Sequence, residues 1–226
     1  MNSDKYLNFP LPILKEFDLT EDSKKGIKDI FNVGIYLYSQ TLSGTDLKKY
    51  RDSAKFLHII PGNLKRDLSE AQILLNKLKG RNYPLIGIKT KMVFDYQNNP
   101  KTEDEWINLC VFLAIRSILG NKPYCKTNKA MIHARMFGYN KPDDLPNKLN
   151  PLQEKFKKRY PMDKVLDELE INWHLKRLWN HNRGFYLSFD LSLKELAEIS
   201  EDNKFNKKKH NLRLEKQKAI HNAKSM

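Results

Sequence analysis

Apolar residues recur at three- and four-residue steps along most of the chain, the spacing of helices with one buried face. Ile27, Ile30, Phe31, Gly34, Leu37 and Tyr38 predict a helix over Thr20 to Thr41, with Thr20 as its N-cap. Leu47, Tyr50, Ala54 and Leu57 predict a second over Thr45 to His58. The break Pro61-Gly62-Asn63 leads into a third through Leu64, Leu68, Leu75 and Leu78, ended by Gly80. From Tyr83 to Tyr96 the pattern changes: Leu85, Ile86, Ile88, Met92, Val93 and Phe94, with lysines between them, read as extended structure and a short strand pair. The turn cluster Asn98-Asn99-Pro100 closes a first domain over residues 1–100.

The second domain, over residues 101–200, opens on a capping box at Thr102 to Glu105, where a threonine oxygen and a glutamate three residues on satisfy free amides of the first turn. The helix continues from Trp106 to Leu119, apolar on most sides, and marks the centre of this domain. After a loop from Asn121 to Lys126, Thr127 or Asn128 caps a short helix through Ile132, Ala134, Met136 and Phe137, stopped by Gly138. Asn150-Pro151 opens a helix to Tyr160, Pro161 interrupts it, and Met162 to Ile171 forms another. The aromatic runs Asn172 to Trp179 and Phe185 to Phe189 flank Asn180-His181-Asn182-Arg183-Gly184, the pattern of a β-hairpin. A helix over Ser192 to Ser200 joins it to a tail. The class is mainly α with small β-hairpins.

Composition and charge add partners to this outline. The 226 residues are 40% hydrophobic and include 11 Phe, 10 Tyr and 3 Trp, enough for a packed core. The net charge is +14, and half of it sits beyond Asn203, where eight basic residues, among them Lys207, Lys208 and Lys209, face Glu215 alone. Such a tail, residues 201–226 at its widest, is either a solvated terminus or a phosphate-attracting one. The longest apolar run, Leu109 to Ile115, is too short to cross a membrane, and Met1 to Pro12 lacks the basic-then-apolar pattern of a secretion signal. Two cysteines without disulfide spacing fit a cytoplasmic setting.

A helix, a short helix closed by glycine, a further helix and then a hairpin with a basic tip resemble the winged helix-turn-helix proteins. The resemblance rests on Trp106 to Leu119, on Thr127-Asn-Lys-Ala-Met-Ile-His-Ala-Arg-Met-Phe-Gly138, and on the leucine-rich helix running into Asn172 to Phe189. In the first half, the turn at Pro61-Gly62 and the helix carrying Lys65 and Arg66 extend it to the tandem winged helices of plasmid and phage replication initiators, although ordinary helix packing accounts for that pattern as well. The resemblance implies duplex DNA as partner, with a helix in the major groove and a wing on the backbone, and a role in replication initiation or transcription regulation, on a bacterial mobile element. Candidate contacts are Lys176, Arg177, His181, Asn182 and Arg183 on the hairpin, Arg135 on the short helix, and the tail lysines. The reading helix departs from the family: Met162 to Ile171 carries Asp163, Asp167, Glu168 and Glu170 against Lys164 alone, which DNA would repel. Two arrangements answer this. The preceding helix, with Lys155, Lys157, Lys158 and Arg159 and an apolar side of Phe156 and Tyr160, is presented instead; or the acidic stretch from Asp163 to Glu170 faces away and contacts a protein.

Enzymatic readings find little footing. Six histidines and two cysteines form no metal-ligand spacing, and there is no glycine-rich phosphate loop or nucleophile elbow. The expectation is a binding protein without metal or cofactor. Two other readings stay open: a protein-interaction module with a solvated basic tail, and RNA binding, in which Phe185 and Tyr186 stack on bases.

Overall fold

A computed structural model describes residues 5–16, 23–60, 62–78, 82–179, 184–206 and 215. The chain is mainly helical with two small antiparallel sheets. Strand β1 (Tyr6–Pro10) runs into a 3-10 turn at Leu11–Glu16, followed by α1 (Ser23–Ser39), α2 (Asp46–Phe56) and α3 (Leu64–Asn76). Next come β2 (Leu85–Lys89) and α4 (Thr90–Asn98). The second half holds α5 (Glu103–Leu119), β3 (Cys125–Thr127), α6 (Lys129–Met136), α7 (Pro151–Lys157), α8 (Arg159–Asn172), β4 (Lys176–Trp179) and β5 (Phe185–Ser188). A last helix, α9, covers residues 193–206. No helix among the described residues is long and apolar enough to cross a membrane.

Local capping chemistry fixes most helix starts. Thr102 accepts from the Glu105 amide at 3.2 Å while the Glu105 carboxylate accepts from the Thr102 amide at 2.8 Å, the reciprocal pair expected at the head of α5. Asn150 caps α7 with the same reciprocal pair, accepting from the Gln153 amide while the Gln153 side chain accepts from its own, and Asn128 caps α6 by accepting from the Met131 amide alone. Helix ends use a left-handed residue: Gly138 (φ 75°) closes α6, with Tyr139 donating to the Ala134 carbonyl, and His58 (φ 59°) closes α2, with Ile59 donating to Ala54. At Gly138 a side chain is excluded twice, since a Cβ there would lie 2.7 Å from Lys15 Cγ and 3.0 Å from the Lys15 amide nitrogen.

Four expectations are corrected. Tyr83 to Tyr96 is not a strand pair: β2 pairs with β1, Leu7 opposite Ile88 and Phe9 opposite Ile86, and the chain turns helical at Thr90. That pairing buries Leu7, Phe9, Ile86 and Ile88 beneath α1, a gain no local pattern in the later segment reveals. Pro161 does not interrupt a helix; the break falls at Lys158 (ψ 148°), and Pro161 sits in the first turn of α8, where amides lack helical acceptors in any case. Asn172 belongs to α8, so the first hairpin strand begins only at Lys176. Cys125–Thr127, expected as loop and cap, is a third strand, and it joins the far edge of β5 to give the order β3-β5-β4.

Two hydrophobic clusters share α5. Trp106, Leu109 and Leu113 pack with β1, α1 and β2, while Ile107, Cys110, Val111, Ala114, Ile115 and Leu119 pack with α6, α8 and β5. The helix expected at the centre of one domain is therefore the wall between two cores, which explains why it is apolar on nearly every side. Cys110 is packing material: burial pushes its thiol up to about 12.

Candidate nucleic-acid interface

The basic cluster from Lys155 to Arg159 spans three different backbone settings. Lys155 and Lys157 lie on α7, Lys158 is the extended residue at the break, and Arg159 begins α8. All four are exposed. Lys155 lies 3.7 Å from Glu103, and Arg159, its side chain 84% exposed, lies 3.5 Å from Asp163. Lys157 lines a recess of about 410 Å³ with Lys129, His133 and the loop around Pro142 to Leu149. His133 is not a free imidazole there. Its Nε2 is 2.8 Å from the Gln153 carbonyl, and burial lowers its pKa, which keeps the ring neutral near pH 7. Of the two apolar docking residues expected for this segment, Phe156 is buried but Tyr160 is 80% exposed.

Arg177 is not on an open face. Its side chain is only 6% exposed and meets three carboxylates of α8: Asp163 at 3.5 Å, and Asp167 and Glu170 in close ion pairs. Asp163 is also held by Lys129 at 2.5 Å. Three of the four acids that set α8 apart from a DNA-reading helix are thus matched by cations of the same unit. Of the others, Glu168 accepts from Asn172, and Lys164 reaches Asp104 at 3.5 Å. The outward side of α8 carries Arg159, Tyr160, Lys164, Asp167 and Ile171, the last 73% exposed.

Arg135 is likewise withdrawn. It is half-buried, its Nε and Nη1 atoms have no hydrogen-bond partner among the described residues, and burial lowers its pKa against the opposing pull of Asp144. Lys176 opens β4 opposite Ser188 and is partly exposed. His181, Asn182 and Arg183 at the hairpin tip and Lys207, Lys208 and Lys209 in the tail lie outside the described residues. Gly184, just after the tip, has φ 136°, as the turn chemistry required, and a Cβ there would lie 2.6 Å from the Thr127 carbonyl oxygen.

One exposed aromatic escaped the sequence reading. Trp179, 53% exposed at the end of β4, has Lys129 Nζ 5.2 Å and the Arg177 guanidinium 5.0 Å from its ring centre, and its edge meets Phe185 at 5.3 Å. Strand alternation alone offered no signal for it, because β4 is only four residues long. Lys129, Arg159, Arg177 and Trp179 are gathered around Asp163, so α6, α8 and β4 meet at one place. The described residues hold no group of three or more His, Cys, Asp or Glu side chains able to take a metal ion. Comparison with models of known protein families gives no match, and no curated protein matches the chain.

Proposed function

We propose that residues 103–188 act as a winged helix that binds duplex DNA, serving replication initiation or transcription. The observation that carries this reading is the order helix, strand, three helices and hairpin, with the first strand seated on the last rather than on its neighbour. In that plan α6 is the supporting helix, α7 and α8 supply the reading helix, and the loop between β4 and β5 is the wing.

Electrostatics supports α8 over α7 as the presented helix. Its amino-terminal end is flanked by Lys157, Lys158 and Arg159, all exposed, and Tyr160 and Lys164 follow on its outer side. Of the four acids that would repel phosphate, Asp163, Asp167 and Glu170 pair with Arg177, and Asp163 with Lys129 as well. Arg177 thereby serves the site as a positioning residue that ties β4 to α8. No winged-helix plan is proposed for the first half, because β2 pairs back to β1 instead of forming a hairpin.

The test is binding of the full chain to a duplex of about 25 base pairs, followed by anisotropy over a salt series. Replacing Lys157, Lys158 and Arg159 by alanine together should weaken binding about 10- to 100-fold and flatten the dependence of log K on log salt by about two to three units, roughly one per lost phosphate contact. Removing residues 207–226 should weaken binding to every duplex alike. Absence of duplex binding at low salt overturns the reading, and preference for single-stranded RNA replaces it with the RNA alternative.

A further inference from the structure

Between the two hydrophobic clusters lies an open cleft of about 850 Å³, walled by β2, α4, α5 and the segments after α8 and β5. The central helix sends one stripe into it: Glu105, Asn108, Phe112 and Arg116 stand three and four residues apart, on one face of a helix otherwise packed in hydrocarbon. Asn108, 8% exposed, lines the cleft between Glu105 and Phe112.

The rest of the wall defines what fits. Phe112 stands 5.0 Å from Trp173 and 5.2 Å from Phe189, ring to ring, and these three half-buried aromatics form a continuous apolar surface. Lys101 is held between Asp95 at 2.6 Å and Glu105 at 3.6 Å, which removes all three from play. Arg116 is half-buried and Lys91 exposed, and neither has an ion pair among the described residues; Glu168, bonded to Asn172, and Asp190 at the rim are the remaining acids. An aromatic floor and a guanidinium without an ion pair among the described residues suit a flat ring carrying a single anionic group.

We propose that this cleft is a binding site for an aromatic monoanion of small-molecule size, its ring on Phe112, Trp173 and Phe189 and its charge on Arg116. The site is separate from the proposed DNA face and does not depend on it.

The probe is 2-naphthoate, titrated into the full chain without nucleic acid and followed by displacement of anilinonaphthalene sulfonate fluorescence, with uncharged 2-naphthamide in parallel. Naphthoate should bind with a dissociation constant of about 1 mM or tighter, the range its size allows. Naphthamide should bind about tenfold more weakly, and Arg116→Gln should abolish that preference. Equal binding of the two probes, a preference that survives Arg116→Gln, or no displacement of the dye overturns the proposal. Because no nucleic acid is present, either outcome leaves the DNA reading to its own test.

Discussion

Each half of the chain surrounds the carboxylates of a helix with cations, and the two do so in opposite ways. On α3 the acid is the buried partner: Asp67 has a side chain 5% exposed, and Lys28, 40% exposed, reaches it at 3.6 Å and Glu70 at 2.9 Å. Arg66 completes the group from outside at 2.7 Å, and together these bonds hold the Glu70 carboxyl below the usual range, Lys28 first. On α8 the cation is buried, and Arg177 meets Asp163, Asp167 and Glu170, whose side chains are 23%, 59% and 35% exposed. The difference teaches where each network is vulnerable. Water can replace an exposed ammonium, whereas three acids that share one buried guanidinium have no other common partner, so the seat of β4 on α8 depends on a single residue.

The largest effect should come from Arg177→Met. Its loss leaves the partly exposed carboxylates of Asp163, Asp167 and Glu170 without the buried cation they share, and unfolding in urea should show about 3 kcal/mol of destabilisation. A loss below about 1 kcal/mol would erase the contrast between the halves.

A smaller effect sharpens the first half. Asp29, buried on α1, has its carboxyl pushed up to about 6 by burial. The folded state therefore holds this proton more tightly than the unfolded chain, and the stability it contributes is full below about pH 4 and lost as pH rises through about 6. Asp29→Asn removes that loss. Urea midpoints measured from pH 4 to pH 7 should shift in favour of the variant by about 2 kcal/mol across the range; a constant difference would show that Asp29 titrates normally.

The smallest change belongs to Lys28→Met, expected to cost about 1 kcal/mol or less at low salt and to fade as salt is added, because this ammonium is well hydrated. A cost equal to that of Arg177→Met would mean that burial of the cation is not what separates the two networks.

Much of this was legible in the chain, and the readable part has a common cause. The capping boxes at Thr102 and Asn150, the Asn128 cap and the glycine stop at Gly138 each involve residues within a few positions of one another, so composition and spacing suffice. The hairpin strands were found through their aromatic residues, although Asn172 to Leu175 were assigned to the wrong element. Of the candidate interface, Lys155, Lys157, Lys158 and Arg159 are exposed as anticipated, while Arg135 and Arg177 are drawn inward. Nothing in the run from Leu175 to Trp179 distinguishes an arginine aimed at solvent from one aimed at a neighbouring helix.

By itself the sequence determined most of the helices, the caps at Thr102, Asn128 and Asn150 and the basic balance of +14, since helix periodicity and capping are set by residues close in the chain; α4, read as strand, is the exception. Only the tertiary structure decided that β1 pairs with β2 some eighty residues later, that β3 lies on β5, and that α5 divides two cores. It also decided that three of the four acids of α8 share Arg177, with Lys129 on Asp163 as well. Those outcomes depend on which surfaces are buried together and on which charges meet, and neither is encoded in any short window of the chain.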